Sequence, residues 1–336
     1  MALHFSVRIK EKVRAECVLI RAEDQRPIYL PAALGVRSEQ DIPELREALA
    51  ADPDLFRVTD TPPDEGGYAF SWAKRGRASR AAAIEIGFWK SAMHADPMGI
   101  YSASTFNTPE GMRQVMAYRP EKPAAELLLG ENLTKYRQDS EDVPWEGIVL
   151  PLQVPTDRAI LSVGTTDEYW TFVEGACKKY GDNLLLKVHP CSGCVDRARA
   201  MGLAEKYGTR YAGTNYSCLR RCKFVLVYNS TFAMDAFVLG APVCQFAPGY
   251  WYQSGAVLYT EGEYPDDCDR STVEVGTRVA DFCVWRYCWS WEVLTAAQWR
   301  ELLTIFARSA QLFPLPECLS YGALIDRVPR TWTYRF

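Results

Sequence analysis

Along residues 147–246 short apolar runs alternate with polar segments of helix length. The runs are Gly147-Ile148-Val149-Leu150-Pro151-Leu152, Leu184-Leu185-Leu186-Lys187-Val188, Phe224 to Tyr228, and Ala241 to Phe246. Between them lie Glu168 to Tyr180, Val195 to Tyr207, a helix near 216–221, and Thr231 to Leu239. Unbroken apolar runs of this length suit strands buried on both faces. Their alternation with helical segments predicts βαβ units and a parallel sheet.

The texture before residue 147 differs. Residues 4–30 alternate and carry β-branched positions, as in Ala15-Glu16-Cys17-Val18-Leu19-Ile20, which predicts one or two strands. Ile42 to Ala50 reads as a helix with Asp41 as its cap. Ile84-Glu85-Ile86-Gly87-Phe88-Trp89 reads as a strand reaching a loop. Thr108-Pro109-Glu110-Gly111 opens a helix with Pro in its first turn. Residues 118–144 hold Pro120, Pro123 and many polar groups and are the expected linker. Ala296 to Ser309 is the last long helix, before a tail rich in Pro and aromatics. The expected architecture is α/β, with two halves facing across a cleft: 1–145, 146–310, and a tail, 311–336, packing back on the body.

Composition narrows the function classes. The chain has 336 residues, a net charge of -4 and 24% charged residues. A protein whose main task is gripping nucleic acid is usually basic, because phosphate contacts supply most of that affinity. No apolar run approaches the ~18 residues that cross a bilayer. The opening Met1-Ala2-Leu3-His4-Phe5 leads into charged residues, so a secretory leader is not expected. With 11 cysteines, the expected compartment is a reducing cytosol with free thiols. Cys191, Cys194, Cys218 and Cys222 have a spacing that permits a zinc site, set against the plain reading of buried or surface thiols.

Candidate chemistry gathers at the ends of the apolar runs, where open parallel sheets bind their ligands. His189, one of three histidines, is followed by Pro190, which turns the chain. Lys187 lies two residues earlier, on the same face of an extended strand. An imidazole and a cation there suit a phosphate. Asn229-Ser230-Thr231 ends the next strand and opens a helix, where a hydroxyl can cap and an anion is favoured. Asp235, on that helix, either reaches a sugar or faces solvent. Gln153 and Asp157 leave the first strand through Pro155. Asp157 reads equally as a nucleophile or base and as a loop carboxylate that caps the next helix.

Gln153-x-x-x-Asp157, then His189-Pro190, then Ser230-Thr231 resembles the capsular-polysaccharide biosynthesis family, in particular its retaining β-Kdo transferases of Gram-negative bacteria. Glu85-x-Gly87-Phe88-x-x-Ser91 with Gly99-Ile100-Tyr101 resembles an earlier segment of that family. Asp235-Ala236, Gly240, Pro242-Val243 and Tyr250 to Gly255 resemble a later one. The match covers roughly residues 84–256. The resemblance implies a GT-B-like fold of two Rossmann-like domains, an N-terminal acceptor side and a C-terminal nucleotide-sugar side. It implies a CMP-activated, Kdo-like donor used without metal or other cofactor, and a glycan or glycolipid acceptor. It makes Asp157 the catalytic carboxylate with Gln153 beside it, and sets His189, Ser230 and Thr231 at the cytidylate phosphate. Lys187, Pro190, Asn229 and Asp235 fall on the same donor side. Glu85, Ser91 and Tyr250 become candidates for the acceptor or sugar. A glycolipid acceptor would bring the protein peripherally to the inner face of the membrane.

Two other readings stand beside this one. The same chemistry could modify a base in DNA, with the aromatics holding a flipped nucleotide, although the acidic charge disfavours nucleic acid. The chain could also be a non-catalytic relative that binds nucleotide or glycan.

Overall fold

The structure is a computed structural model. It describes residues 17–21, 27–31, 44, 47–48, 56–59, 68–72, 80–128, 142–213, 216–308 and 315–328. The strand reading for 4–16, the cap Asp41, the linker residues 129–141 and the tail residues 311–314 and 329–336 lie outside the described residues. The fold is α/β, as expected. It divides into two compact units: Met1–Thr105 with Phe282–Tyr334, and Phe106–Asp281 with Arg335–Phe336. The expected divisions at 145/146 and 310/311 differ from these units.

In chain order the first unit contributes β1 (Cys17–Arg21), β2 (Pro27–Pro31), β3 (Phe56–Thr59), β4 (Tyr68–Trp72), β5 (Arg80–Ile86) and β6 (Ala92–Asp96). Its sheet is mixed where the sequence reading had a Rossmann-like half. β2, β4 and β5 run parallel, but β5 and β6 are antiparallel. The turn between them is too short for a parallel crossover. Gly87 is required in that turn, because a Cβ there would lie 2.7 Å from the Ala92 Cβ. Ser91 closes the turn with φ 56°.

Asp96, at the end of β6, is fully buried and ties down the chain that follows. It accepts from the N–H groups of Met98, Gly99 and Thr105, the hydroxyls of Ser104 and Thr105, and the Tyr287 Oη. Burial pushes its carboxyl up against the downward pull of these hydrogen bonds.

The second unit holds β7 (Ile148–Pro151), β8 (Leu184–Lys187), β9 (Arg210–Ala212), β10 (Phe224–Val227), β11 (Val243–Gln245) and β12 (Leu258–Tyr259). They form one sheet in the order β12-β11-β10-β7-β8-β9, with every pair parallel. Counted from β7 as one, this is the doubly wound order 3-2-1-4-5-6. β7, β8 and β10 are buried along their whole length, which explains why their runs lack polar alternation.

One face packs Ile148, Leu150, Leu186 and Leu226 against Tyr169, Phe172, Val173 and Ala176 of the helix Thr166–Tyr180. Thr165 and Glu168 start that helix with a reciprocal capping box. Helix Cys194–Tyr207 ends at Gly208, whose φ is 71°. The segment 216–219, read as an α-helix, is a single 3-10 turn. After helix Ser271–Phe282 the chain returns to the first unit, where β13 (Cys288–Ser290) pairs antiparallel with β6. The expected boundary after 310 differs for that reason.

Candidate active site

Parallel strands deliver their carboxyl ends to one edge of the sheet. In the doubly wound order the crevice opens where the order reverses, here between β7 and β10. The two motifs at the ends of β7 and β8 leave that edge from neighbouring strands, paired in register from Ile148 with Leu184 to Pro151 with Lys187. β10 lies on the other side of β7 and delivers Asn229, Ser230 and Thr231.

Gln153 is buried, and its backbone is fixed from below. Its N–H donates to the Tyr169 Oη at 2.7 Å. The Tyr169 phenol is wholly buried and pushed far above its ordinary range by desolvation, so it stays neutral. The Gln153 Nε2 donates to the Asn229 Oδ1 at 3.2 Å, and its Oε1 faces the Asn229 N–H at 3.4 Å. Asn229 Nδ2 donates to the carbonyls of Ala159 at 2.7 Å and Pro248 at 3.3 Å. No local pattern signals this contact, because its partners lie 76 residues apart.

Asp157 sits at the end of a turn closed by its own N–H on the Val154 carbonyl. It is half-buried and caps the short helix Arg158–Leu161, its Oδ1 accepting from the Ala159 N–H at 2.9 Å. The capping role is therefore present. Among the described residues its other oxygen accepts no hydrogen bond, which leaves it available to a ligand.

Lys187 is buried, with its ammonium 5.4 Å from the centre of the Phe232 ring. A cation against a ring face is attracted by the ring quadrupole. His189 is half-buried, and its Nδ1 accepts from the Cys191 N–H at 3.1 Å. In the neutral ring this puts the proton on Nε2, as a donor. Pro190 is exposed, and its carbonyl, with that of Ser192, accepts from the Arg197 guanidinium. Arg197 was not singled out in the sequence. It ties the His-Pro turn to helix Cys194–Tyr207.

Ser230 and Thr231 are half-buried. The Ser230 Oγ accepts from the Phe232 N–H at 3.2 Å, ahead of a helix, Ala233–Val238, that is shorter than expected. Asp235 is 5% exposed, which sets aside its solvent-facing reading. Tyr250 is buried against Trp251, with ring centroids 5.4 Å apart. Two candidates lie in the first unit. Glu85 accepts from the Ile86 N–H at 2.8 Å and the Tyr101 Oη at 3.4 Å, and Ser91 donates to Glu292 at 2.5 Å. Among the described residues no group of three or more His, Cys, Asp or Glu could hold a metal ion, so Cys191, Cys194, Cys218 and Cys222 are not gathered into a zinc site. No helix among them is long and apolar enough to cross a membrane.

No family model matches the chain, and no curated protein matches it. Among solved structures it is similar to two transferases from Thermosulfurimonas dismutans KpsC. The β-Kdo 2,7 transferase is 18% identical over 70% of this chain and 83% of that one, with a TM-score of 0.43. The β-Kdo 2,4 transferase is 17% identical over 62% and 78%, with a TM-score of 0.42. AviGT4, a glycosyltransferase involved in avilamycin A biosynthesis, is 15% identical over 72% and 75%, with a TM-score of 0.29. Likeness at these TM-scores assigns no activity to this chain.

Proposed function

We propose that this chain is a glycosyltransferase that takes its sugar from a nucleotide-activated donor at the β7–β10 switch point. One observation carries the reading. β10, β7 and β8 lie side by side and bring Asn229-Ser230, Gln153-x-x-x-Asp157 and Lys187-x-His189 to the same edge of a doubly wound sheet. A carboxylate for the sugar carbon and cationic or donor groups for a phosphate then belong to one crevice.

The finer reading follows the motif resemblance. The donor is a CMP-activated, Kdo-like sugar, and transfer retains configuration without a metal. Asp157 attacks the anomeric carbon, and the bond from that carbon to the phosphate oxygen breaks. CMP departs with the electron pair. An acceptor hydroxyl then attacks from the original side, the bond from the anomeric carbon to Asp157 breaks and restores the carboxylate, and the hydroxyl proton passes to solvent. Lys187 and His189 stabilise the charge that grows on the leaving phosphate. The acceptor is a glycan or glycolipid.

Calorimetric titration of the full chain with CMP, UDP and GDP tests the donor side. A clear preference for CMP is expected, and a preference for UDP or GDP would redirect the donor assignment. Release of CMP from CMP-Kdo in the presence of a chelator tests metal independence, and loss of release on chelation would refute it.

A further inference from the structure

We infer that Gln153 and Asn229 are positioning residues that join three strand-end loops into one rigid frame. Gln153 stands in the loop after β7 and Asn229 in the loop after β10. Asn229 also holds Ala159, beyond the β7 loop, and Pro248, in the loop after β11. Both hydrogens of its Nδ2 are thereby engaged, while its Oδ1 takes the Gln153 Nε2. These side chains are 8% and 2% exposed. Their polar groups are directed at the protein, so they act on a ligand through the loops they fix.

The frame extends at both ends. Tyr169 anchors the Gln153 backbone from the helix beneath the sheet. At the other end, Asn107 donates to the Gly249 carbonyl at 2.9 Å and accepts from the Gln253 N–H at 3.0 Å. Gly249 is packed so closely that a Cβ there would lie 2.9 Å from the Gln245 Nε2 and 3.0 Å from the Asn229 Cβ. A displacement at Gln153 therefore reaches the 248–253 loop through Asn229. This assignment refines the proposed function by giving Gln153 a role that acts through Asn229. Its ligand arm rests on that proposal, and its exchange arm does not.

Hydrogen exchange of the full-length chain, read by mass spectrometry, tests the frame without any ligand. Gln153→Met keeps length and removes both amide bonds. It is expected to raise exchange about 10-fold or more in peptides covering 226–232 and 245–252, with helix Cys194–Tyr207 unchanged. Gln153→Glu keeps an acceptor for the Asn229 N–H but sets its second oxygen against the Asn229 Oδ1, so protection at 226–232 is expected to stay below wild type. Asn229→Asp keeps the acceptor for Gln153 and removes both Nδ2 bonds, so it should loosen 245–252 and spare 150–156. Exchange changes confined to 150–158 in Gln153→Met would overturn the frame. In the ligand arm, Gln153→Met should weaken CMP about 10-fold. If the wild-type chain binds no CMP, the donor reading fails while the exchange result still decides the frame.

Discussion

The Leu152 N–H donates to the Lys187 carbonyl at 2.9 Å, one step beyond the last in-register pair of β7 and β8, Pro151 and Lys187. Gln153 follows directly on one strand, and His189 stands two residues on along the other. The two motifs therefore leave the sheet at the same level from adjacent strands. In the proposed function a single donor reaches the carboxylate that follows one strand and the imidazole that follows the other.

Asp157 caps a helix and, in the proposed function, attacks the sugar carbon; two substitutions separate these roles. Asn is as good an N-cap as Asp, so Asp157→Asn should keep wild-type stability within a few tenths of a kcal/mol. It should still lower transfer by about 10^3-fold or more, as loss of a catalytic group does, with CMP affinity largely retained. Asp157→Ala should lose the same activity and also about 1 kcal/mol of stability. Thermal denaturation alongside a CMP-release assay reads both. Wild-type-like turnover in the Asn variant would leave Asp157 as a cap and nothing more.

Lys187 is buried beneath the proposed phosphate position, with its ammonium on the Phe232 ring. Lys187→Met keeps the length of the stem and removes the charge. We expect CMP to bind about 10-fold more weakly, equivalent to about 1.4 kcal/mol. Calorimetry measures this. Denaturant unfolding of the same variant shows whether any loss of affinity comes from loss of the fold. Unchanged affinity would move the phosphate away from β8.

Much of the second unit was legible because each buried parallel strand is a short, unbroken apolar run. The run 147–152 became Ile148–Pro151, 224–228 became Phe224–Val227, and the helix read at Val195 begins at Cys194. The ends of such runs are also where ligands collect in parallel sheets, which is why Asp157, Lys187 and His189 stand out as candidates. The first unit was less legible. Its sheet mixes parallel and antiparallel pairs, and β13 joins β6 through Cys288 and His94, which are far apart in sequence. Pairing at such a distance has no local signature. The same holds for Gln153 with Asn229, and for Asp96 with Tyr287, 191 residues away.

Asp96 concentrates many of the first unit's polar contacts on one buried carboxylate. Truncation to Ala would orphan the Met98, Gly99 and Thr105 N–H groups together with the Ser104, Thr105 and Tyr287 hydroxyls. Each unsatisfied buried donor costs about 1–3 kcal/mol where water cannot replace its partner. Asp96→Ala should therefore lose roughly 3 kcal/mol or more, and Asp96→Asn less, since it keeps one acceptor oxygen. Urea unfolding followed by Trp fluorescence measures this. A loss of less than about 1 kcal/mol in the Ala variant would mean that solvent or rearrangement satisfies the donors.

Tyr169 offers a prediction in which pH separates a hydrogen bond from packing. Its Oη accepts the Gln153 N–H in the buried core, so Tyr169→Phe leaves that N–H without a partner, at a cost of about 1–2 kcal/mol near neutral pH. Desolvation raises the folded phenol well above the ordinary value of 10.0. Above that value the unfolded chain gives up the proton and the folded one keeps it, so the unfolded state binds fewer protons and stability falls as pH rises. The Phe variant has no proton at this position and escapes that part of the fall. The stability gap between wild type and variant should therefore narrow from about pH 8 to about pH 11. Urea unfolding of both proteins across that range measures it. A gap that stays constant or widens would show that Tyr169 ionises in the fold as readily as in the unfolded chain.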